Sequence, residues 1–309
     1  MRAALSTPPE VLPPKNSAIM LAHFRQDGWQ TGPVKSEMPT MPEALPVPVV
    51  DSHTHLDTTE HVAGLPVEQA LAKAAEVNVT RLAQIGCDVD GSRWAVEIAR
   101  KHPEVIATVA LHPNEAARLG DDLDDAIAAI AELAGDPQVR GIGETGLDYF
   151  RTKAGEGHAL QKQSFRAHIA LAKEHDKTLV IHDRDAHDDI LEVLDAEGCP
   201  ERIIMHCFSG DADFARECVA RGAWLSFPGP VTYKANEALR EAARVTPTDR
   251  ILVETDAPYL VPVPWRGHPN ASYVMPHTVR FLADLREEPL EEFCQRLTDN
   301  AFAAYGGAW

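Results

Sequence analysis

Six residues of metal-binding type stand at recurring positions, each just after an apolar run. His53 and His55 lie two apart in Val49-Val50-Asp51-Ser52-His53-Thr54-His55-Leu56-Asp57, directly behind two β-branched residues. Side chains alternate faces along a strand, so both imidazoles point the same way. Glu144 stands in Gly143-Glu144-Thr145-Gly146-Leu147-Asp148-Tyr149, His182 in Ile181-His182-Asp183-Arg184-Asp185-Ala186, His206 in Met205-His206-Cys207-Phe208-Ser209-Gly210 and Asp256 in Glu254-Thr255-Asp256-Ala257-Pro258. Four imidazoles and two carboxylates exceed what one tetrahedral zinc needs. They suit two divalent cations sharing a bridge, and Glu144, central in chain order and carrying two oxygens, can supply it. Such a pair polarises a phosphoryl oxygen and lowers the pKa of a bound water, which is the chemistry of phosphoester hydrolysis. Asp256 can serve both as a ligand and as the group that orients or deprotonates that water. His112, in Leu111-His112-Pro113, is not needed as a ligand and is expected to bind the scissile phosphate or protonate the leaving oxygen. Arg184 is a candidate for charge-assisted bonds to phosphate, or for an ion pair with Asp148, Asp183 or Glu254.

These residues need elements that bring them together. Apolar runs at Pro48–Ser52, Arg81–Gly86, Val105–Leu111, Val139–Gly143, Thr178–Ile181, Arg202–Met205, Ala223–Phe227 and Arg250–Glu254 alternate with amphipathic stretches. The stretches are Val67–Val77, Gly91–Lys101, Leu123–Leu133, Ala159–His175, Ala186–Glu197, Asp211–Arg221, Lys234–Arg244, Ser272–Arg286 and Leu290–Tyr305. Near-continuous apolar strands mean burial on both faces, as in a parallel sheet covered by helices. Eight such alternations predict an α/β protein of the (β/α)8 TIM-barrel class, spanning 46–309. A doubly wound open sheet would carry a Gly-rich phosphate loop after its first strand, where this chain has a His pair. Every candidate then lies at the carboxyl end of a strand, and in a barrel those ends converge on one mouth. Isolated polar groups in a dry mouth are costly, and metal coordination is the simplest way to satisfy them jointly.

The remaining histidines offer less. His158, His168 and His175 lie on one helix among charged neighbours and read as surface residues, while His61, His102, His187 and His277 have no evident partner. After the last strand, the Pro- and Gly-rich stretch Pro262–Asn270 reads as a loop. In it Trp265 and Arg266 are candidates to stack on a base or bind backbone, and Asn270 to fix the loop or touch substrate.

The net charge of −18 with no Lys/Arg run excludes a broad grip on duplex backbone but leaves room for a strand end drawn into a cationic metal pocket. Five cysteines, an odd number without CxxC spacing, argue against a disulfide framework and fit a reducing cytoplasm. No apolar run is long enough to span a bilayer, so no membrane partner is expected, and a monomer is. Residues 1–45 are rich in Pro, Ser and Thr and read as a poorly ordered extension, or alternatively as an arm anchored by Phe24 and Trp29. His23 falls within it.

Taken in order, the stretches Asp51–Asp57, Gly143–Tyr149, His182–Ala186, His206–Gly210, Glu254–Leu260 and Arg266–Asn270 resemble the TatD-like deoxyribonucleases, metal-dependent hydrolases on a TIM barrel. The resemblance runs from Val49 to Tyr305, and the long extension is its main departure. It implies that His53, His55, Glu144 and Asp256 bind one metal, that Glu144, His182 and His206 bind a second, and that His112 contacts substrate. It implies magnesium, manganese or zinc as the ions and 3′-to-5′ exonuclease action on single-stranded DNA or 3′ ends. Two rival readings are hydrolysis of an amide, lactone or aminoacyl ester by the same metals, and a scaffold in which the metal is structural.

Overall fold

The computed structural model describes residues 37–309. Eight parallel strands follow one another around the sheet in chain order: β1 (Val49–Thr54), β2 (Val79–Ile85), β3 (Val105–Val109), β4 (Val139–Asp148), β5 (Thr178–Arg184), β6 (Ile203–Met205), β7 (Trp224–Phe227) and β8 (Ile251–Val253). The sheet curls until its ends meet, where the Asp256 N–H donates to His53 O and the His55 N–H to Ala257 O, both at 2.9 Å. This is the (β/α)8 barrel that the alternation predicts. The outer layer comprises α1 (Leu56–Ala63), α2 (Val67–Glu76), α3 (Val89–Lys101), α4 (Pro113–Leu119), α5 (Leu123–Ala134), α6 (Glu156–Glu174), α7 (His187–Glu197), α8 (Ala212–Ala220), α9 (Glu237–Val245), α10 (Pro276–Leu285) and α11 (Leu290–Ala304). None of these helices is long and apolar enough to cross a membrane.

The main apolar core lies between the strands and this helical layer. A second cluster fills the barrel's floor: Val50, Ile106, Val180, Ile204, Trp224 and Leu252 point inward and are capped from below by Ala301, Tyr305 and Trp309. Hydrogen bonds fix the cap, from Tyr305 Oη to Ser52 O (2.8 Å) and from Trp309 Nε1 to Glu104 O (3.2 Å). The interior is therefore packed at one end and polar at the other.

Residues 37–45 run against the barrel. Leu45 is buried and its N–H donates to Val77 O, while Tyr273 Oη donates to Pro39 O (2.6 Å). Phe24, Trp29 and His23 lie outside the described residues.

One histidine differs from its sequence reading. His168 is fully buried, in the same helical stripe as Ser164, Phe165, Ile169 and Ala172. Its Nδ1–H donates to Ser164 O (2.7 Å), which leaves Nε2 to accept the Leu111 N–H (3.1 Å). The imidazole thus holds the turn that carries His112, and burial drives its pKa down to about 4. Replacing His168 with Leu strands the Leu111 N–H and is expected to cost about 2 kcal/mol. Because the folded pKa is below the unfolded 6.5, the native protein loses stability as pH falls from 6.5 toward 4, and the variant loses less over that window. Urea unfolding at pH 7 and pH 5 measures both effects. Midpoints within error of the parent at both pH values would remove this role.

Candidate metal centre

The mouth is built where β4 and β5 outlast their neighbours. Their pairing continues through Thr145↔Ile181 and Gly146↔His182 to Asp148↔Arg184, after an irregularity between Ile142 and Thr145. Two glycines make this possible: a Cβ on Gly143 would lie 2.4 Å from Val180 O, and one on Gly146 2.1 Å from His182 O. The β4 backbone thereby presses on β5 and presents Glu144 from within the strand, nearly fully buried, into the mouth. At the opposite seam, Asp51 is buried and its carboxylate accepts from Thr255 N–H (2.9 Å) and Thr255 Oγ1–H (2.6 Å), fixing β1 to the turn that bears Asp256. Asp256 itself has φ +50°, a left-handed conformation that an acidic side chain tolerates better than most.

The six residues expected to bind metal converge. On one side of Glu144, Oε1 is 3.6 Å from His53 Nε2 and 3.5 Å from His55 Nε2, and Asp256 Oδ1 is 3.7 and 3.2 Å from the same two nitrogens. On the other side, Oε2 is 2.8 Å from His206 Nε2, 3.1 Å from His182 Nδ1 and 3.8 Å from His112 Nε2. The two oxygens of one carboxylate thus face two separate donor sets.

A divalent ion fits these donors. Ligands about 2.1 Å from a shared ion stand about 3–3.5 Å apart, close to the separations seen. His53 is fully buried and neither ring nitrogen has a hydrogen-bond partner, which is costly for an imidazole unless it ligates. Burial, with His206 beside it, drives the His53 pKa down to about 3, so it stays neutral with a lone pair to offer. Against burial, Glu144 draws His206 well above the ordinary value, and Asp256 raises His55. Burial also opposes ionisation of Glu144, yet His206 and His112 hold its carboxyl well below the usual range. The cluster is thus arranged to hold positive charge around two carboxylates.

Three supporting groups are not evident from sequence. Asp148 Oδ2 lies 3.5 Å from His182 Nε2 and accepts from Asn114 Nδ2 (2.9 Å). Glu254 Oε1 lies 3.5 Å from His206 Nδ1 and accepts the Cys207 N–H (2.8 Å). Each carboxylate backs an imidazole, the arrangement that fixes ring orientation and raises ligand basicity. Cys87, at the end of β2, donates its thiol to Glu144 Oε1 (3.3 Å). Its position in Gly86-Cys87-Asp88, just after an apolar run like the others, is the one signal that could have marked it.

The cluster opens into a cavity of about 600 Å³ whose walls include His112, Arg118, Phe150, Arg151 and Arg184. His112 Nδ1 accepts the Asn114 N–H (3.0 Å), so the tautomer directs Nε2–H toward Glu144. Arg184 is not paired with Asp148, Asp183 or Glu254; its guanidinium stacks on Phe150, 3.9 Å from the ring centroid. Arg266 is not brought to the cavity. It is exposed and lies over the Tyr233 ring at 4.3 Å, and Trp265 donates Nε1–H to His277. Asn270 is fully buried, with Nδ2 donating to Thr255 O (2.9 Å) and Tyr259 O (2.7 Å), so it fixes the loop and has no amide proton left for substrate. His187, without a partner in sequence, meets Asp183 at 2.5 Å. All five cysteines are free thiols.

Comparison with known proteins gives the chain a family. The profile of the family described as TatD related DNase matches residues 50–306, which is the whole barrel. The chain belongs to the TatD-related DNase family. Within it, the chain is 42% identical to the metal-dependent hydrolase TatD of Mycobacterium tuberculosis, over 84% of this chain and 99% of that protein. It is 37% identical to the metal-dependent hydrolase YabD of Bacillus subtilis, over 81% and 96% of the two chains. Among solved structures, the TatD homologue YJJV of Escherichia coli superposes with a TM-score of 0.76 at 24% identity, covering 84% of this chain and 98% of that one. Like these TatD relatives, the chain is a metal-dependent hydrolase.

Proposed function

We propose that the protein is a two-metal phosphodiesterase that shortens DNA from 3′ ends or single strands, in the cytoplasm. The division of Glu144 carries this reading: Oε1 lies beside His53 and His55, whose Nε2 atoms Asp256 also approaches, and Oε2 lies beside His182 and His206. One carboxylate between two donor sets suits a pair of divalent ions, magnesium, manganese or zinc. His53, His55, Glu144, His182, His206 and Asp256 would hold the ions, which would supply Lewis-acid polarisation of the phosphoryl oxygen and acidify a nearby water. Asp256, 13% exposed at the side chain and open to the cavity, is placed to orient a water there and accept its proton. His112 offers Nε2–H to the phosphate or to the departing oxygen. Arg118, Arg151 and Arg184 put guanidiniums on a wall that also carries Asp88, Glu115, Asp183 and Asp185, so the pull on an anionic diester would come from two bound cations, with the arginines placed to bond its phosphate.

The test uses a fluorescent single-stranded oligonucleotide with either a free or a blocked 3′ end. After chelation and reloading with magnesium, manganese or zinc, the free strand is expected to shorten stepwise and the blocked strand to persist. An intact free strand with every ion would sink the reading, and hydrolysis of a lactone or aminoacyl ester in its place would support the rival.

A further inference from the structure

Phe150 stands out on the cavity wall. Among the described residues it is one of three large apolar side chains that are exposed, at 51%, and of these the one that lines the cavity. It sits in the turn two residues beyond Asp148, where β4, the strand that presents Glu144, ends. One face carries the Arg184 guanidinium, from the matching extension of β5. Its backing is firm: neighbouring Tyr149 stacks on His158 with centroids 3.8 Å apart and donates Oη–H to Asp189 (2.5 Å). Arg151, next in the chain, also lines the cavity, and its N–H donates to Asp148 Oδ1 (2.8 Å).

The half-exposed ring at the cavity wall, with a guanidinium over one face, offers a flat apolar surface that a planar partner can cover. An arginine stacked on an aromatic face keeps its in-plane N–H groups free for a phosphate while its plane extends the π surface. A nucleotide presents the matching pair, a flat base beside a charged phosphate. We infer that Phe150 and Arg184 together form a base-stacking wall that takes a nucleobase of an unpaired strand end beside the metal centre. The inference rests on the phosphodiesterase reading and adds to it a requirement for an unstacked base. Because stacking does not read base edges, the wall accepts any of the four bases and rejects a base locked inside a duplex.

The experiment compares two single-stranded oligonucleotides, one normal and one abasic at its last two 3′ positions, with parent, Phe150→Ala and Phe150→Tyr proteins loaded with manganese. For the parent, KM on the normal strand is expected to be about 10-fold below that on the abasic strand. Phe150→Ala should raise KM on the normal strand about 10-fold with kcat within about twofold, and should no longer distinguish the strands. Phe150→Tyr should restore the difference. Equal KM values of the parent for both strands, with both hydrolysed, would overturn the stacking wall while leaving the phosphodiesterase reading intact. Hydrolysis of neither strand by the parent would overturn the phosphodiesterase reading and this inference with it.

Discussion

Glu144→Ala is expected to abolish hydrolysis, with a loss on the order of 10³-fold or more, and to bring bound metal below one ion per chain. The size follows from what one side chain contributes. Its two oxygens face both donor sets, so on the proposed two-ion reading its removal would take a ligand from each ion, and Lewis-acid stabilisation worth several kcal/mol would go with it. The fold should persist. The imidazoles that now crowd a carboxylate would be left around a small cavity, and those raised by Glu144, His206 above all, would release protons toward the ordinary histidine value. Metal analysis, activity and a circular dichroism melt on the same preparation separate the outcomes. Retention of two ions with normal turnover would show that Glu144 is not the bridge. Conversely, a variant that loses one ion and keeps the other would place Glu144 in a single donor set.

The second large effect is expected at Asp256. Asp256→Asn keeps size and shape, and Asn tolerates the left-handed backbone at this position, so the melting temperature should move little. It removes the charge that faces His55 Nε2 at 3.2 Å and His53 Nε2 at 3.7 Å, and it removes the group able to accept a proton from water. A fall in kcat of about 10³-fold is expected, larger than the fall in metal affinity, because transition-state contacts made by a proton acceptor and a ligand are both lost. Stopped-time assays with saturating manganese, together with isothermal titration of the metal, distinguish the two contributions. If kcat recovers fully once the ion is saturating, Asp256 acts only as a ligand.

Much of this site is legible in the sequence because parallel strands buried on both faces read as unbroken apolar runs, and every run except Ala223–Phe227, which stops at Pro228, has a residue of ligand type within two positions of its end. His53, His55, His182, His206 and Asp256 follow directly from that rule. Glu144 follows it only in part: the apolar signal ends at Gly143, yet β4 continues to Asp148, since residues facing a polar mouth have no reason to be apolar. The same absence of apolar pattern hides the end of β5 at Arg184. Helices α1 and α4 leave no sequence signal because they are short and start directly behind His55 and His112, with too few residues to show a period. The charged neighbours of His168 give it a surface signature, although its spacing from Ser164, Phe165 and Ala172 places it on the buried stripe. The carboxylates behind the imidazoles, and the clamp between Asp51 and Thr255, join residues that only the closed barrel brings together, and no local pattern announces them. The direction of Arg184, onto a ring rather than a carboxylate, was likewise undecided until the turn bearing Phe150 was placed.

The sealed floor has a kinetic consequence. With Tyr305 and Trp309 packed beneath the inward-facing residues, the described residues leave no way through the barrel's axis, and the cavity lies at the metal end. A substrate that reaches the cluster through that cavity would share it with the departing product, so competitive inhibition by product is the expected kinetic pattern.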